Sequence, residues 1–359
     1  MRIRSLIKLA LLLVGTVPAD ADTLHIAPPY HDASQMVPRA DVPHGTVRSF
    51  IMRSGDSRIY PGIRQLDNET TRRRDAHGNR LAAPADQQSE PAPYRREVFV
   101  YTPAGYRMGT AAPLLVVQDG RDYVARVTAA LDSLIAAHRV PSMVAVLIQS
   151  GGGDAQGSQR GLEYDTVSGR YAEFVEQEVL PQVTRLYGVR FTCDPEGRAT
   201  MGGSSGAAAA FSMAWFHPEW YLKVLSYSGT FVDQSSPADP QTPHGAWDYA
   251  TRLVPGTARK PIRLWMEVGE HDLHWQDPKE TFHNWPLAND RMAAALESRR
   301  YDYRYVIAAH AVHVDGDVIS QTLPDALEWL WRGYRRCAGQ ARRFRSGCSS
   351  RQFILSTDL

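Results

Sequence analysis

Ser204 sits in the run Met201-Gly202-Gly203-Ser204-Ser205-Gly206, which passes directly into four alanines. A serine framed by glycines, where a strand turns into a helix, can be held at the apex of a sharp, strained turn. Glycine lets the two elements approach where larger side chains would collide. The hydroxyl then stands at a helix N-terminus, where the dipole favours developing negative charge. It becomes a nucleophile if a base takes its proton and a carboxylate holds that base. Small residues also serve plain close packing, so the deciding question is whether an acid and a histidine follow in the order Ser, Asp or Glu, His.

They do. The strand-like run "PIRLWMEVG" (261–269) opens into "EHDLHW" (270–275), where Asp272 is the candidate acid and Glu270 its alternative. The run "YDYRYVIA" (301–308) opens into "AHAVHVDGD" (309–317), where His313 is the candidate base and His310 its competitor. The backbone N–H of Ser205, with that of Gly120 or Arg121 in "QDGRDY", supplies candidate donors to an oxyanion. Glu270, His271, Asp272 and His274 can be drawn as metal ligands, but no separate cluster completes them, so neither a metal nor another cofactor is expected. The glycine run at 151–153 lacks the G-K-[ST] ending of a phosphate loop and reads as a loop after a strand.

These residues need a scaffold. Alternating patterns predict a first strand in "TVRSFIMRS" (46–54) and a second in "YRREVFVYTP" (94–103). Strands and helices then alternate: strand 113–118, helix 121–140, strand 143–150, helix 167–188, strand 198–203, strand 222–229, strand 261–269, helix around 283–299, strand 301–308 and helix 322–335. That order predicts a mostly parallel sheet covered on both faces, with the site at the carboxyl ends of its strands.

With these motifs in view, the chain resembles the putative-esterase family of α/β-hydrolases, in its exported, enterochelin-esterase-like branch. The likeness rests on "REVFVYTPAGY", "PLLVVQDG", "RGLEYDTVSGRYAEFVEQEVLP", "MGGSSG", "SYSGTF", "WMEVGEHDLHW", "NWPLANDRMAAALESRRYDYRY" and "QTLPDALEWLWRGY", spread over roughly 45–335. The resemblance implies an α/β-hydrolase fold, a Ser204–His313–Asp272 triad, a small-molecule ester substrate and an oxyanion contribution from the "QDG" loop. It also makes Arg160, Glu163 and Tyr164 of "RGLEYD" candidates either for bracing the elbow or for touching substrate. Trp215 and Trp275 are candidates for an aromatic wall, with a core position on its helix the equal alternative for Trp215. Two positions depart from the family pattern: Ala207 replaces a glycine after the elbow, and Val312 replaces the glycine of A-G-H. Were a positive φ required at 312, valine there would be strained and His313 displaced. The same acyl-enzyme chemistry would serve transfer to an alcohol, and a non-catalytic ligand-binding protein on this fold is the reading from another class.

The rest of the chain bounds the setting. With 359 residues, 40 Lys+Arg against 39 Asp+Glu and a formal charge of +1, the bulk composition offers no argument for nucleic acid or an anionic membrane. The segment 1–21 joins Arg2, Arg4 and Lys8 to a short apolar run and ends Ala19-Asp20-Ala21. That pattern predicts a signal peptide cleaved after Ala21 and a periplasmic or secreted protein without stable membrane insertion. Residues 22–44 read as an extended arm, 45–335 as the catalytic domain and 336–359 as a basic tail. Cys337 and Cys348 are the expected disulfide pair, with Cys193 left as a buried thiol. Oligomeric state stays open at this level.

Overall fold

The computed structural model describes residues 21–334 apart from 38, 82, 83, 155 and 236. All of the proposed signal peptide but Ala21, and the basic tail, therefore lie outside the described residues. Nine strands form one sheet: β1 Ala21–Ile26, β2 Thr46–Arg53, β3 Arg95–Thr102, β4 Leu114–Gln118, β5 Val144–Ile148, β6 Arg198–Gly203, β7 Lys223–Tyr227, β8 Arg263–Gly269 and β9 Asp302–Ala308. Their spatial order is β1-β9-β8-β7-β6-β4-β5-β3-β2. Pairing is antiparallel only at β2–β3 and β3–β5, so β3 alone runs against the others.

The inner strands are continuous apolar runs because both faces are covered. In β4, Leu114 and Val116 join one core cluster and Leu115 and Val117 the other, the period-two alternation of a pleated strand. Helix α1 (Gly120–Ala136) and the later helix Gly316–Trp331 pack on the second face. Val127, Ala130, Leu131 and Leu134 make an apolar stripe at helical spacing on α1. The first face carries the short helix α2 (Gln159–Tyr164), a helical run over 170–187 denoted α3, α4 (Ser205–Phe216) and α5 (Trp285–Ser298). Within α3 the turn Val175–Val179 widens to π geometry just before Pro181, which lacks the N–H that a regular helix uses there.

Three segments differ from the sequence reading. Part of the expected arm is β1, which pairs in parallel with β9 and forms a sheet edge. Its half-buried and exposed positions alternate, a six-residue signal easily lost beside Pro28 and Pro29. The last helix among the described residues, α6 (Gly316–Trp331), starts six residues before the predicted 322 because the Asp315 side chain accepts from the N–H groups of Asp317 and Val318. Cys193 is disulfide-bonded rather than a leftover thiol. Cys337 and Cys348, the pair expected from sequence, lie outside the described residues.

Chain direction across the sheet reverses at its centre. From β4 the chain passes through α1 to β5 on one side, whereas β6 lies on the other side of β4 and leads on to β7, β8 and β9. The carboxyl ends of β4 and β6 thus flank the crevice in which open α/β sheets bind ligands.

Candidate active site

Ser204 is the residue between β6 and α4, at φ 57° and ψ −132°, a conformation that L-residues rarely adopt. Crowding explains the glycines. A Cβ on Gly202 would lie 2.3 Å from the Gly206 backbone, and one on Gly203 would lie 2.0 Å from the Tyr123 hydroxyl. The turn is held by neighbouring strand ends: Ser204 N–H donates to the Tyr227 carbonyl at 2.9 Å, and the Ser204 carbonyl accepts from Thr230 N–H at 3.2 Å.

The hydroxyl faces a histidine. Ser204 Oγ lies 2.9 Å from His313 Nε2, and His313 Nδ1 lies 2.5 Å from Asp272 Oδ1. Asp272 is buried, and its Oδ1 also accepts from Leu273 N–H at 2.6 Å. The imidazole has an aromatic neighbour, Trp285, at 5.9 Å and nearly perpendicular. Trp285 Nε1 donates to Thr230 Oγ1 at 3.3 Å, and that oxygen is 3.4 Å from Ser204 Oγ. The strain anticipated at Val312 is absent: positive φ falls instead at His310 (59°) and Val314 (50°), and Val312 is 55% exposed. The turn is fixed by Val314 N–H donating to Ser228 Oγ at 2.9 Å. His310 points to the other competitor, Glu270, whose carboxylate accepts the His310 N–H at 2.9 Å. Neither enters the Ser204–His313–Asp272 hydrogen-bond line.

On the other wall, Asp119 N-caps α1 in the left-handed region (φ 51°) and the loop packs tightly on β5: a Cβ on Gly120 would lie 2.5 Å from the Leu147 carbonyl carbon. Ser205 N–H is in the first turn of α4, where helical geometry leaves donors without partners inside the helix. Arg121 does not fit the donor role given to it, because its N–H already donates to Gln149 Oε1 at 3.1 Å. Gly120 keeps its candidacy.

The "RGLEYD" residues turn inward as braces. Arg160 directs its guanidinium at Asp119 (2.9 Å) and Asp154 (2.5 Å), and Asp119 N–H donates to the Tyr164 hydroxyl at 3.2 Å. Glu163 is fully buried against Arg96, 2.5 Å away, and also accepts from Gln159 Nε2. Of the two roles left open for them, Glu163 and Tyr164 fill the bracing one, supporting the "QDG" loop and its sheet edge, and the expected substrate contact is corrected. Trp215 is likewise corrected: it is 3% exposed, stacked on Phe211 and beneath the Lys260 ammonium, at the far end of α4 from the elbow. Trp275 is 44% exposed, with its ring against His271.

Sequence reasoning missed four contributors. Thr230 and Trp285 lie in motifs that carry the family likeness, yet only the fold brings them to the serine. Asp119 pairs with Arg160 across 41 residues, a contact no local pattern specifies. Glu267 on β8 is buried, neither of its carboxylate oxygens has a hydrogen-bond partner, and burial reinforced by Asp272 and Asp315 holds its carboxyl well above the usual range. The second oxygen of Asp272 is also buried without a protein partner. A separate cavity of about 780 Å³, lined by Ser34, Arg39, Asp132 and His138 among others, contains none of these residues.

Comparison with known proteins bears on the family and the fold. The family model described as "Putative esterase" matches residues 89–324. A curated relative, the iron(III) enterobactin esterase of Dickeya dadantii (strain 3937), is 31% identical over 170 residues, 47% of this chain, and the chain spans only 37% of that relative's length. Among solved structures, an enterobactin esterase from Shigella flexneri, determined in the presence of enterobactin, superposes with a TM-score of 0.51 at 23% identity over 66% of this chain and 55% of that one. The ferulic acid esterase of the anaerobic fungus Anaeromyces mucronatus gives 0.54 at 12% identity over 85% and 98%. The structural likenesses establish the shared α/β-hydrolase fold. The family match covers well over half of the chain, which belongs to the esterase family of that description.

Proposed function

We propose that the protein is a serine hydrolase that cleaves carboxylic esters through an acyl-enzyme. The observation that carries this reading is the unbroken line from Ser204 Oγ through the His313 imidazole to Asp272, with spacings of 2.9 and 2.5 Å. Ser204 Oγ attacks the ester carbonyl as its proton passes to His313 Nε2, and Asp272 supports the imidazolium through Nδ1. The carbonyl oxygen, now negative, takes hydrogen bonds from the N–H groups of Ser205 and Gly120. Collapse expels the alcohol, which receives the proton from His313. Water then attacks the acyl carbon with His313 again as base, releasing the acid and restoring Ser204. Trp275 forms part of the aromatic rim on the acid side.

The candidate substrates are those of the relatives: an enterobactin-type siderophore ester and an ester of ferulic acid. Hydrolysis of p-nitrophenyl acetate, enterobactin and methyl ferulate by wild type and Ser204→Ala tests the reading. Turnover of at least one ester, reduced by about 10³-fold or more in the variant, is the expected result. Equal turnover in both proteins, or none with any ester, would refute it.

We further propose export after cleavage behind Ala21. Among the described residues no helix is long and apolar enough to cross a membrane. Such cleavage leaves Asp22–Ile26 to pair with β9. N-terminal sequencing of protein recovered from the periplasm should begin at Asp22; an intact Met1 there would contradict cleavage.

A further inference from the structure

Among the described residues, one group of three histidine and carboxylate side chains converges closely enough to share an ion: Glu270, His271 and His310, whose ligand atoms all lie within 4.8 Å of one another. Sequence reasoning set aside a metal here because the 270–274 run offers no completing ligand; the fold supplies His310 from the neighbouring loop. We propose that these three side chains form a Zn²⁺ site that ties the loop bearing Asp272 to the loop bearing His313.

Several features prepare the group without an ion. Glu270 N–H donates to the Ala308 carbonyl and His271 N–H to the Ala311 carbonyl, both at 2.9 Å, so the two loops already run side by side. His310 adopts a positive φ of 59°, uncommon for a residue with a Cβ, and its backbone N–H is held by the Glu270 carboxylate. That conformation sets its ring 5.4 Å from the His271 ring. His271 is packed at 4.6 Å against Trp275, which limits its rotation. Glu270 and His310 are exposed, so an ion and its waters can reach the group.

Ligand chemistry selects the metal class. Two imidazoles and one carboxylate suit Zn²⁺ and disfavour Mg²⁺ and Ca²⁺, which prefer all-oxygen sets. Tetrahedral bonds of about 2.0–2.1 Å put ligand atoms roughly 3.3 Å apart, so small rotations of the exposed Glu270 and His310 side chains would complete the set. Water fills the fourth position. Asp272 directly follows one ligand, and His313 lies three residues beyond another. The ion therefore acts as a clamp on the acid and base loops, and the site does not depend on whether Ser204 performs ester chemistry.

Isothermal titration of the EDTA-treated, dialysed full-length mature protein with ZnCl₂ tests the proposal, with MgCl₂ alongside and a thermal melt at each zinc concentration. The variants are His310→Ala and Glu270→Gln, with His44→Ala as a control on a histidine paired to Asp132 elsewhere on the surface. The expected result is one tight equivalent of zinc, no matching magnesium isotherm, and a saturable rise in Tm. Affinity should fall at least tenfold in both site variants and stay unchanged in His44→Ala. Zinc affinity weaker than millimolar in wild type, or equal affinity in wild type and both site variants, overturns the proposal.

Discussion

Around Ser204 the chain is packed to contact. Side-chain atoms added at Gly202 or Gly203 would meet neighbours at 2.3 and 2.0 Å, and the following helix residues from Ser205 to Trp215 are all buried. The loops that carry Asp272 and His313 are built differently. They are joined by backbone hydrogen bonds between Glu270 and Ala308 and between His271 and Ala311, while Val312, Glu270 and His310 face solvent. In the elbow, steric demand dictates the residue type. In the two loops, backbone groups set the geometry and leave several side chains free for other work.

If the two regions differ in this way, substitutions should damage them differently. The largest effect is expected from Asp272→Asn, which keeps the shape but removes the charge facing His313 Nδ1. Ester turnover should drop about 10⁴-fold, measured as kcat/KM alongside a circular dichroism check on folding. A drop of less than tenfold would remove Asp272 from the proposed triad. Next comes Gly202→Ala in the elbow, where the backbone of Gly206 has to yield. A stability loss of about 1–3 kcal/mol is expected from overpacking, read by urea unfolding, and an unchanged midpoint would show that the turn has slack.

A smaller effect concerns Glu267, beneath the acid loop. Its folded carboxyl is held well above the ordinary value of 4.5. Below that pH both folded and unfolded chains keep the proton. Above it the unfolded chain ionises while folded Glu267 stays neutral, so this group's contribution to stability is present at low pH and is lost as pH rises toward its folded pKa. Glu267→Gln should flatten that decline between pH 4.5 and 8, measured by denaturant titrations at several pH values. Parallel curves for variant and wild type would contradict the assignment. Least of all should change in Val312→Ala, because the side chain is exposed and its φ is not positive. Stability within about 0.5 kcal/mol of wild type is expected, and a large loss would mean that the loop relies on side-chain packing after all.

The same contrast explains what the sequence made legible. The order of strands and helices, the glycine-framed serine and the aspartate and histidine that line up with it from later strand ends could be read directly, since each leaves a residue-type signature. Glu163 and Tyr164 could not be placed, because their inward roles depend on Arg96 and Asp119, 67 and 45 residues away. Thr230 and Trp285 reach the serine through strand β7 and helix α5, whose relative placement no local pattern specifies. His310 entered the sequence reading only as a competing base, since its meeting with Glu270 and His271 is a property of two adjacent loop backbones. β1 was hidden because an edge strand needs only one half-buried face.

The central claim, that Ser204 is activated by His313, is tested most directly by intact-mass analysis of the mature protein after exposure to a fluorophosphonate probe, with Ser204→Ala and His313→Ala measured in parallel. The account predicts one adduct on wild type, none on Ser204→Ala, and labelling of His313→Ala slowed by orders of magnitude. A folded wild-type protein that stays unlabelled, or an adduct that persists undiminished in Ser204→Ala, would contradict it.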